Sequence, residues 1–447
     1  MRVKGICVCV LLALSSPVLA ETTGLFAAYQ KALQNDSTFG AALATSLAGK
    51  EEISKAMAAF LPTASASLSQ SKSELESTPL NIKNPKSTQS NYDSQNYSLN
   101  VRQSIFKKSN FAQYKQAKAS VDNSDAIFEK EKLKLMTSVT DAYLQVLLSR
   151  DNIRYIQAQK DAIEKQLLQA NRLYGAGQGT ITDISEAQAK YDTVIATEVE
   201  AQNALEISSR ELENKIGIYS GHLRELDPGK IPLELPEPND VNQWIELSTK
   251  QSPAILASQF NLEAADQEVE KGLGGNYPEV DLVASKSISQ NDTINTIGSR
   301  NDVKSIGVQV NIPLFSGGSV LAQVRQLRAR RDAAREQLKD VTKNVASEVR
   351  KQFLALVNGI IRLKALERAV QSNETALLGT THGFEAGFRT NVEVLNAQQQ
   401  LFSSKRDLAK ARYELVSSRL KLLEAAGVLN EGNLQEADAW FSVSSSE

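Results

Sequence analysis

The residues with catalytic potential are few and poorly placed. The sequence holds two histidines, His222 and His382, at unrelated positions of an internal repeat. His382 aligns with Arg172 in the other copy and reads as a solvated turn residue rather than a ligand. Ser69-Gln70-Ser71-Lys72 fits Ser-x-x-Lys, but in an alternating stretch instead of a helix start, and no partner motif accompanies it. Gly317-Gly318 lies where a strand pattern gives way to a helical one, and chain reversal explains it. No phosphate loop or nucleophile elbow is present. These features point away from an enzyme, and no cofactor or metal is implied. Polar residues cluster elsewhere: Asp183 in one copy of the repeat, and Arg389, Glu393 and Asn396 in the other. An isolated charge run of this kind is usually the solvated face of a helical turn. Repeated around a ring of identical chains, acids there would focus negative potential and favour cations.

Those positions need elements to hold them. No proline occurs between Pro85 and Pro228, or after Pro313. Proline breaks helix interiors, so two long tracts are free to be helical. Residues 107–174 and 316–383 can each form one helix of about 100 Å. Gly175, Gly177 and Gly179 end the first, and Gly379, Gly383 and Gly387 the second. Return helices are expected near 182–216 and 391–426, and shorter helices near 25–60 and 240–275.

The two halves are copies displaced by roughly 210 positions, the self-similarity that defines repeat architectures. Thr182 to Gln188 matches Val392 to Gln398, Gly177 matches Gly387, Gly217 matches Gly427, and Ser104-Ile105-Phe106 matches Pro313-Leu314-Phe315. Pro62 and Pro278 correspond with a slightly larger offset. The division is 1–20 leader, 21–227 first repeat, 228–239 linker, 240–427 second repeat and 428–447 C-terminal segment. Apolar ladders step by seven. One runs Val139, Val146, Ile153, Lys160, Leu167, Tyr174, and its counterpart Val349, Leu356, Leu363, Val370, Leu377, Phe384. The return ladders are Ile184, Tyr191, Glu198, Leu205, Leu212 and Val394, Leu401, Leu408, Leu415, Leu422. A seven-residue seam implies left-handed coiled coils.

Four segments alternate with period two: 62–72, 96–106, 278–288 and 303–315. The last is clearest, with Ile306, Val308, Val310 and Ile312 between Ser305, Gly307, Gln309 and Asn311. Each has close to the ~9–11 residues a tilted strand needs to cross a bilayer. Polar loops are expected at 73–94 and 289–301.

Arg2 and Lys4, the apolar run Ile6–Leu14 and Val18-Leu19-Ala20 form an export leader cleaved before Glu21. Cys7 and Cys9, the two cysteines of the sequence, lie within it. The remaining chain would carry 48 basic side chains (50 less Arg2 and Lys4) and 52 acidic ones, a balance that suggests no nucleic-acid partner. No later segment is apolar enough for a membrane helix, so a membrane contact must be made by strands. Four strands cannot close a barrel, which takes eight or more. Unpaired backbone groups in lipid cost several kcal/mol each. Several chains must therefore share one barrel. Three would supply twelve strands, with the charged helices extending into the periplasm.

Covering nearly the whole chain, the sequence resembles the TolC family of outer-membrane efflux and type I secretion channels. The resemblance is carried by Gln103-Ser104-Ile105-Phe106, Gln157-Ala158-Gln159-Lys160, Tyr191-Asp192-Thr193-Val194 and Gly387-Phe388-Arg389-Thr390-Asn391-Val392-Glu393-Val394-Leu395-Asn396-Ala397. It implies an α+β fold: a long antiparallel coiled-coil helical barrel plus a transmembrane β-barrel shared between protomers, with four strands per chain and twelve per trimer. A belt around the middle would take 217–245 and 427–447. It implies a homotrimer in the outer membrane, in contact with its lipid. A periplasmic adaptor (membrane fusion) protein and an inner-membrane RND or ABC pump would be its partners. It also implies a periplasmic gate in which Asp183 and Arg389 latch the inner coiled coil. The position of Phe384 is usually tyrosine in the nearest family members, so one hydrogen bond of that latch would be absent here. Glu393 keeps one acidic selectivity ring, while Asn396 replaces an acid and leaves a second ring neutral. The competing reading is a periplasmic coiled-coil adaptor or scaffold. Adaptors usually carry one helical hairpin, whereas this chain has two.

Overall fold

The computed structural model describes residues 22–80, 83–219, 221–293 and 296–442. The expected leader, with both cysteines, and the last five residues of the expected C-terminal segment lie outside them. In chain order the elements are α1 (Leu25–Asn35), α2 (Ser37–Ala58), β1 (Thr63–Ser77), β2 (Thr88–Phe106), α3 (Lys108–Gly175), α4 (Ile181–Ile216) and β3 (Glu225–Leu226), then α5 (Val241–Gln251), α6 (Pro253–Leu273), β4 (Glu279–Thr293), β5 (Thr296–Asn311), α7 (Ser319–Glu385), α8 (Asn391–Ala426), α9 (Glu431–Asp438) and β6 (Phe441–Ser442). The series of two short helices, two strands, a long helix and a return helix occurs twice. The architecture is the expected mixture of long helices and antiparallel strands, four of them in the main sheet.

The long helices match the proline-free tracts to within a few residues. The shorter ones differ: each expected helix before the strands is two. The first breaks at Asp36, whose carboxylate accepts from the backbone N–H groups of Thr38 and Phe39 at 2.8 and 2.9 Å and so starts a new helix. The second breaks at Ser252, where Pro253 occupies the first turn of α6.

Residues 41–131 and 246–347 form one compact unit. Its sheet has the order β1-β2-β4-β5, antiparallel throughout. The register sets Ala66 opposite Leu99, Leu68 opposite Tyr97, Val101 opposite Ala284, and Leu282 opposite Val308. Because side chains alternate between faces, these pairs join the apolar rows of all four strands on one face. That face is open: Leu68 is 73% exposed and Ile306 76%. The expected loops at 73–94 and 289–301 are a correction, for strand pairing occupies most of both. Alternation of apolar residues stops near Lys72, but backbone pairing does not need it. Cross-strand hydroxyl pairs such as Ser71–Ser94, at 2.7 Å, continue the ladder instead. Below the sheet, Lys107 pairs with Glu279 at 2.8 Å and Lys108 with Glu270 at 3.5 Å.

The second unit comprises described residues 22–40, 132–245 and 348–442. Its core is built from the ladder positions: Val139, Val146 and Leu212 are fully buried, with Leu25 and Tyr29 of α1 packed among them. Trp440, Phe441 and Leu434 close this cluster from the C-terminal side. β3 and β6 pair antiparallel, Leu226 opposite Phe441, so the segments near 217–245 and after 427 meet. Toward the turns the core thins to Ile156, Ile163, Ala187, Val194 and Leu395.

Candidate functional site

The turns from α3 to α4 and from α7 to α8 are built alike. In the first, the N–H of Ala176 donates to Arg172 O, that of Gly177 to Tyr174 O, and that of Gln178 to Leu173 O, at 3.1, 2.9 and 2.9 Å. In the second, Ala386 donates to His382 O, Gly387 to Phe384 O, and Phe388 to Gly383 O, at 3.0, 3.0 and 2.8 Å. Gly177 and Gly387 have φ of +74° and +79°, the left-handed conformation that glycine adopts without strain.

Each return helix then starts on a capping box. The Thr180 hydroxyl accepts from Asp183 N–H at 3.2 Å, and Asp183 Oδ2 accepts from Thr180 N–H at 3.0 Å. Thr390 and Glu393 repeat this at 3.3 and 2.7 Å. Both boxes were readable as Thr-x-x-Asp and Thr-x-x-Glu, yet the two threonines were not singled out.

Arg389 donates to Glu393 Oε1 at 2.6 Å. Its stem lies against Gly383, where a Cβ would sit 2.7 Å from Arg389 Cγ. The Thr390 backbone N–H first, and the Arg389 guanidinium second, hold the Glu393 carboxyl below its usual range. Asp183 and Arg389 thus sit in separate turns, each with a local partner; among the described residues no ion pair joins them. Phe384 is half-buried and Asn396 exposed. The sequence reading brought Arg389 and Glu393 to one turn, and that is where they meet.

Behind the turns, the two hairpins touch through polar groups that the apolar ladders did not reveal. Lys190 of α4 donates to Gln399 of α8 at 2.6 Å, and Arg406 of α8 to Gln159 of α3 at 3.4 Å. A cavity of about 440 Å³ lies there, lined by Glu186, Thr193, Val194, Leu395, Gln399 and Arg406 among others. Asn391 is 3% exposed, and neither atom of its amide has a partner among the described residues. Gln166 and Gln398 each bury an unpartnered amide oxygen. Leaving such groups unpaired costs about 1–3 kcal/mol apiece.

Chemistry is sparse around it. His382 faces Glu385 at 3.2 Å on an exposed surface. No cluster of three or more potential metal ligands occurs among the described residues, and none of their helices is long and apolar enough to cross a membrane.

The model of the outer membrane efflux protein family matches residues 28–217 and 244–428. The proteases secretion protein PrtF of Dickeya chrysanthemi is 30% identical, over 99% of this chain and 96% of that one. The alkaline protease secretion protein AprF of Pseudomonas aeruginosa is 30% identical over 94% and 88%. The outer membrane protein TolC of Escherichia coli is 31% identical over 75% and 70%. In fold, the chain is similar to the outer-membrane protein VceC of Vibrio cholerae, with a TM-score of 0.74, 22% identity and coverage of 90% and 96%. It is also similar to the Campylobacter jejuni CmeC outer-membrane channel, with a TM-score of 0.77, 15% identity and coverage of 94% and 90%.

Proposed function

The chain belongs to the outer membrane efflux protein family, and on that premise we propose that three copies form one exit duct serving type I protein secretion, gated at the two helical turns. An outer-membrane location and a transport role follow from the family itself, which is one of ducts and not an enzyme family. Family membership also decides against the adaptor reading, since the match spans both repeats.

One observation carries the shared barrel: the sheet stops at four strands with an apolar face bare and both edges open, and the number of copies, three, is taken from the family resemblance. Neither edge can remain unpaired in lipid. Three such sheets supply the twelve strands of a closed barrel. The preference for protein cargo rests on PrtF and AprF, two relatives named for protease secretion that match along most of their lengths. An ABC pump and a periplasmic adaptor complete that pathway. Drug efflux through an RND pump uses the same duct and is the second reading, supported by the description of the family whose model the chain matches, outer membrane efflux protein.

For the gate, Arg389 and Asp183 are proposed to link hairpins in the closed duct. Glu393 supplies a ring of charge at the mouth, and Asn396 an uncharged ring beside it. The thin, polar seam behind the turns supports motion at this place. The test is the outer-membrane fraction run on an SDS gel without boiling. A heat-sensitive trimer band is expected, and a soluble single-subunit protein overturns the reading.

A further inference from the structure

The register between neighbouring subunits can be read from the internal repeat. β1 maps onto β4 with the Pro62-to-Pro278 shift of 216 positions, and β2 onto β5 with the Phe106-to-Phe315 shift of 209. Both hairpins obey these shifts. Ala66 pairs with Leu99, and their counterparts Leu282 and Val308 pair; Leu68 pairs with Tyr97, and Ala284 with Ile306. One contact remains, that of β2 with β4 between repeats. Its counterpart would join β5 to β1, which lie at opposite edges of the sheet. Within one chain it goes unmade. Both edge strands are long, 15 and 16 residues, and contain no proline, so every backbone N–H along them is available for pairing.

We propose that β5 of one copy pairs antiparallel with β1 of the next, Gln309 opposite Ser69 and Val310 opposite Leu68, because Asn100 pairs with Ser285 and Val101 with Ala284. This rests on the shared-barrel reading and specifies its seam. The apolar rows stay on one face across it, as a one-residue slip would not allow.

The same mapping shows that the two kinds of seam are held differently. The seam within a chain carries three ion pairs: Arg102 with Asp281, Lys107 with Glu279, and Lys108 with Glu270. The mapped positions between chains are Asn311 with Ser65, Ser316 with Thr63, and Gly317 with Ser54. All six charges are replaced by neutral residues. The seam between chains lacks these three pairs and instead sets Lys304 opposite Glu74, where the seam within a chain pairs Gln95 with Gln290.

The test uses cysteine pairs in the full-length protein, whose two native cysteines fall in the expected leader. Under mild oxidation, Gln309→Cys with Ser69→Cys should give reductant-sensitive covalent dimers and trimers. Gln309→Cys with Ser67→Cys or Ser71→Cys should give several-fold less. A trimer that crosslinks best at a slipped pair overturns the register while leaving the duct intact. A protein that runs as a monomer before oxidation overturns both. As a second arm, Asn311→Arg and Ser65→Asp should each lower the temperature at which the trimer dissociates, and the double variant should recover it. Additive losses in the double variant overturn the mapping of Arg102 and Asp281 onto the subunit seam.

Discussion

Lys160 and Glu198 meet at 2.5 Å between α3 and α4, each occupying the one charged rung of an otherwise apolar ladder. In the other repeat the matching rungs are Val370 and Leu408. Gln157 adds a longer hydrogen bond to Glu198, at 3.4 Å. One hairpin thus carries a polar clamp where its copy carries a greasy contact. Breaking such a pair strands a charge, whereas replacing both partners by apolar residues is often neutral or better. Glu198→Leu alone should lower the melting temperature. Lys160→Val with Glu198→Leu, which copies the other repeat, should restore it or raise it further. The hydrogen bond from Lys160 is the first cause holding the Glu198 carboxyl low. Its contribution is complete above the unfolded value of about 4.3 and is lost as pH falls through the folded one. The gap between wild type and Glu198→Leu should therefore narrow in thermal melts at strongly acid pH, while the double variant, which lacks the titrating pair, gains on wild type there.

Glu424 behaves in the opposite sense. Burial first pushes its carboxyl above the usual range, and the charges of Asp141 of α3 and Glu348 of α7 add to that. The Thr137 hydroxyl and Lys421 oppose it. The unfolded chain gives up this proton before the folded one does, so stability is lost as pH rises through the interval between the two values. Glu424→Gln keeps the size and the bond to Thr137. It should melt higher than wild type at pH 7.5, with the gain vanishing near pH 4. A gain independent of pH would mean that the side chain acts through packing alone.

Tyr143 ties three segments together. Its buried hydroxyl lies 3.0 Å from Thr23 O and 2.9 Å from Arg224 O, and its ring meets Phe441 edge-on at 5.4 Å. Tyr143→Phe keeps the ring and abandons two carbonyls, so a loss of about 1–3 kcal/mol is expected in denaturant titrations. Limited proteolysis should then cut first near Thr23.

Much of this was legible because it follows from periodicity. Gaps between prolines bounded α3 and α7, and the seven-residue ladders picked out Val139, Val146, Leu356 and Leu363, all buried. What escaped was decided by polar groups. Asp36 restarts a helix with its carboxylate, and Ser71 and Ser94 prolong a hairpin with hydroxyls. Neither disturbs apolar spacing, so neither leaves a mark in it. The link between Arg389 and Glu393 was within reach, being four residues apart on one helical start. The contacts of Lys190 with Gln399 and Arg406 with Gln159 span about 210 and 250 positions and depend on how two hairpins dock.

The gate gives the sharpest functional expectation. Arg389 is held by Glu393 and packed on Gly383, so its guanidinium is already positioned at the turn. If it latches the closed duct, Arg389→Ser should raise single-channel conductance in planar bilayers without changing trimer yield. Glu393→Gln should weaken cation preference, since it removes a charge from each copy at the mouth. Phe384 offers the converse. It is half-buried beside the same turn, and Phe384→Tyr adds a hydroxyl there. That variant should lower conductance and lengthen closed dwell times. Unchanged conductance in both Arg389→Ser and Phe384→Tyr would move the closing contact away from these turns. The polar seam of Gln166, Asn391 and Gln398 would then be the next place to look, because it buries amide groups without partners among the described residues.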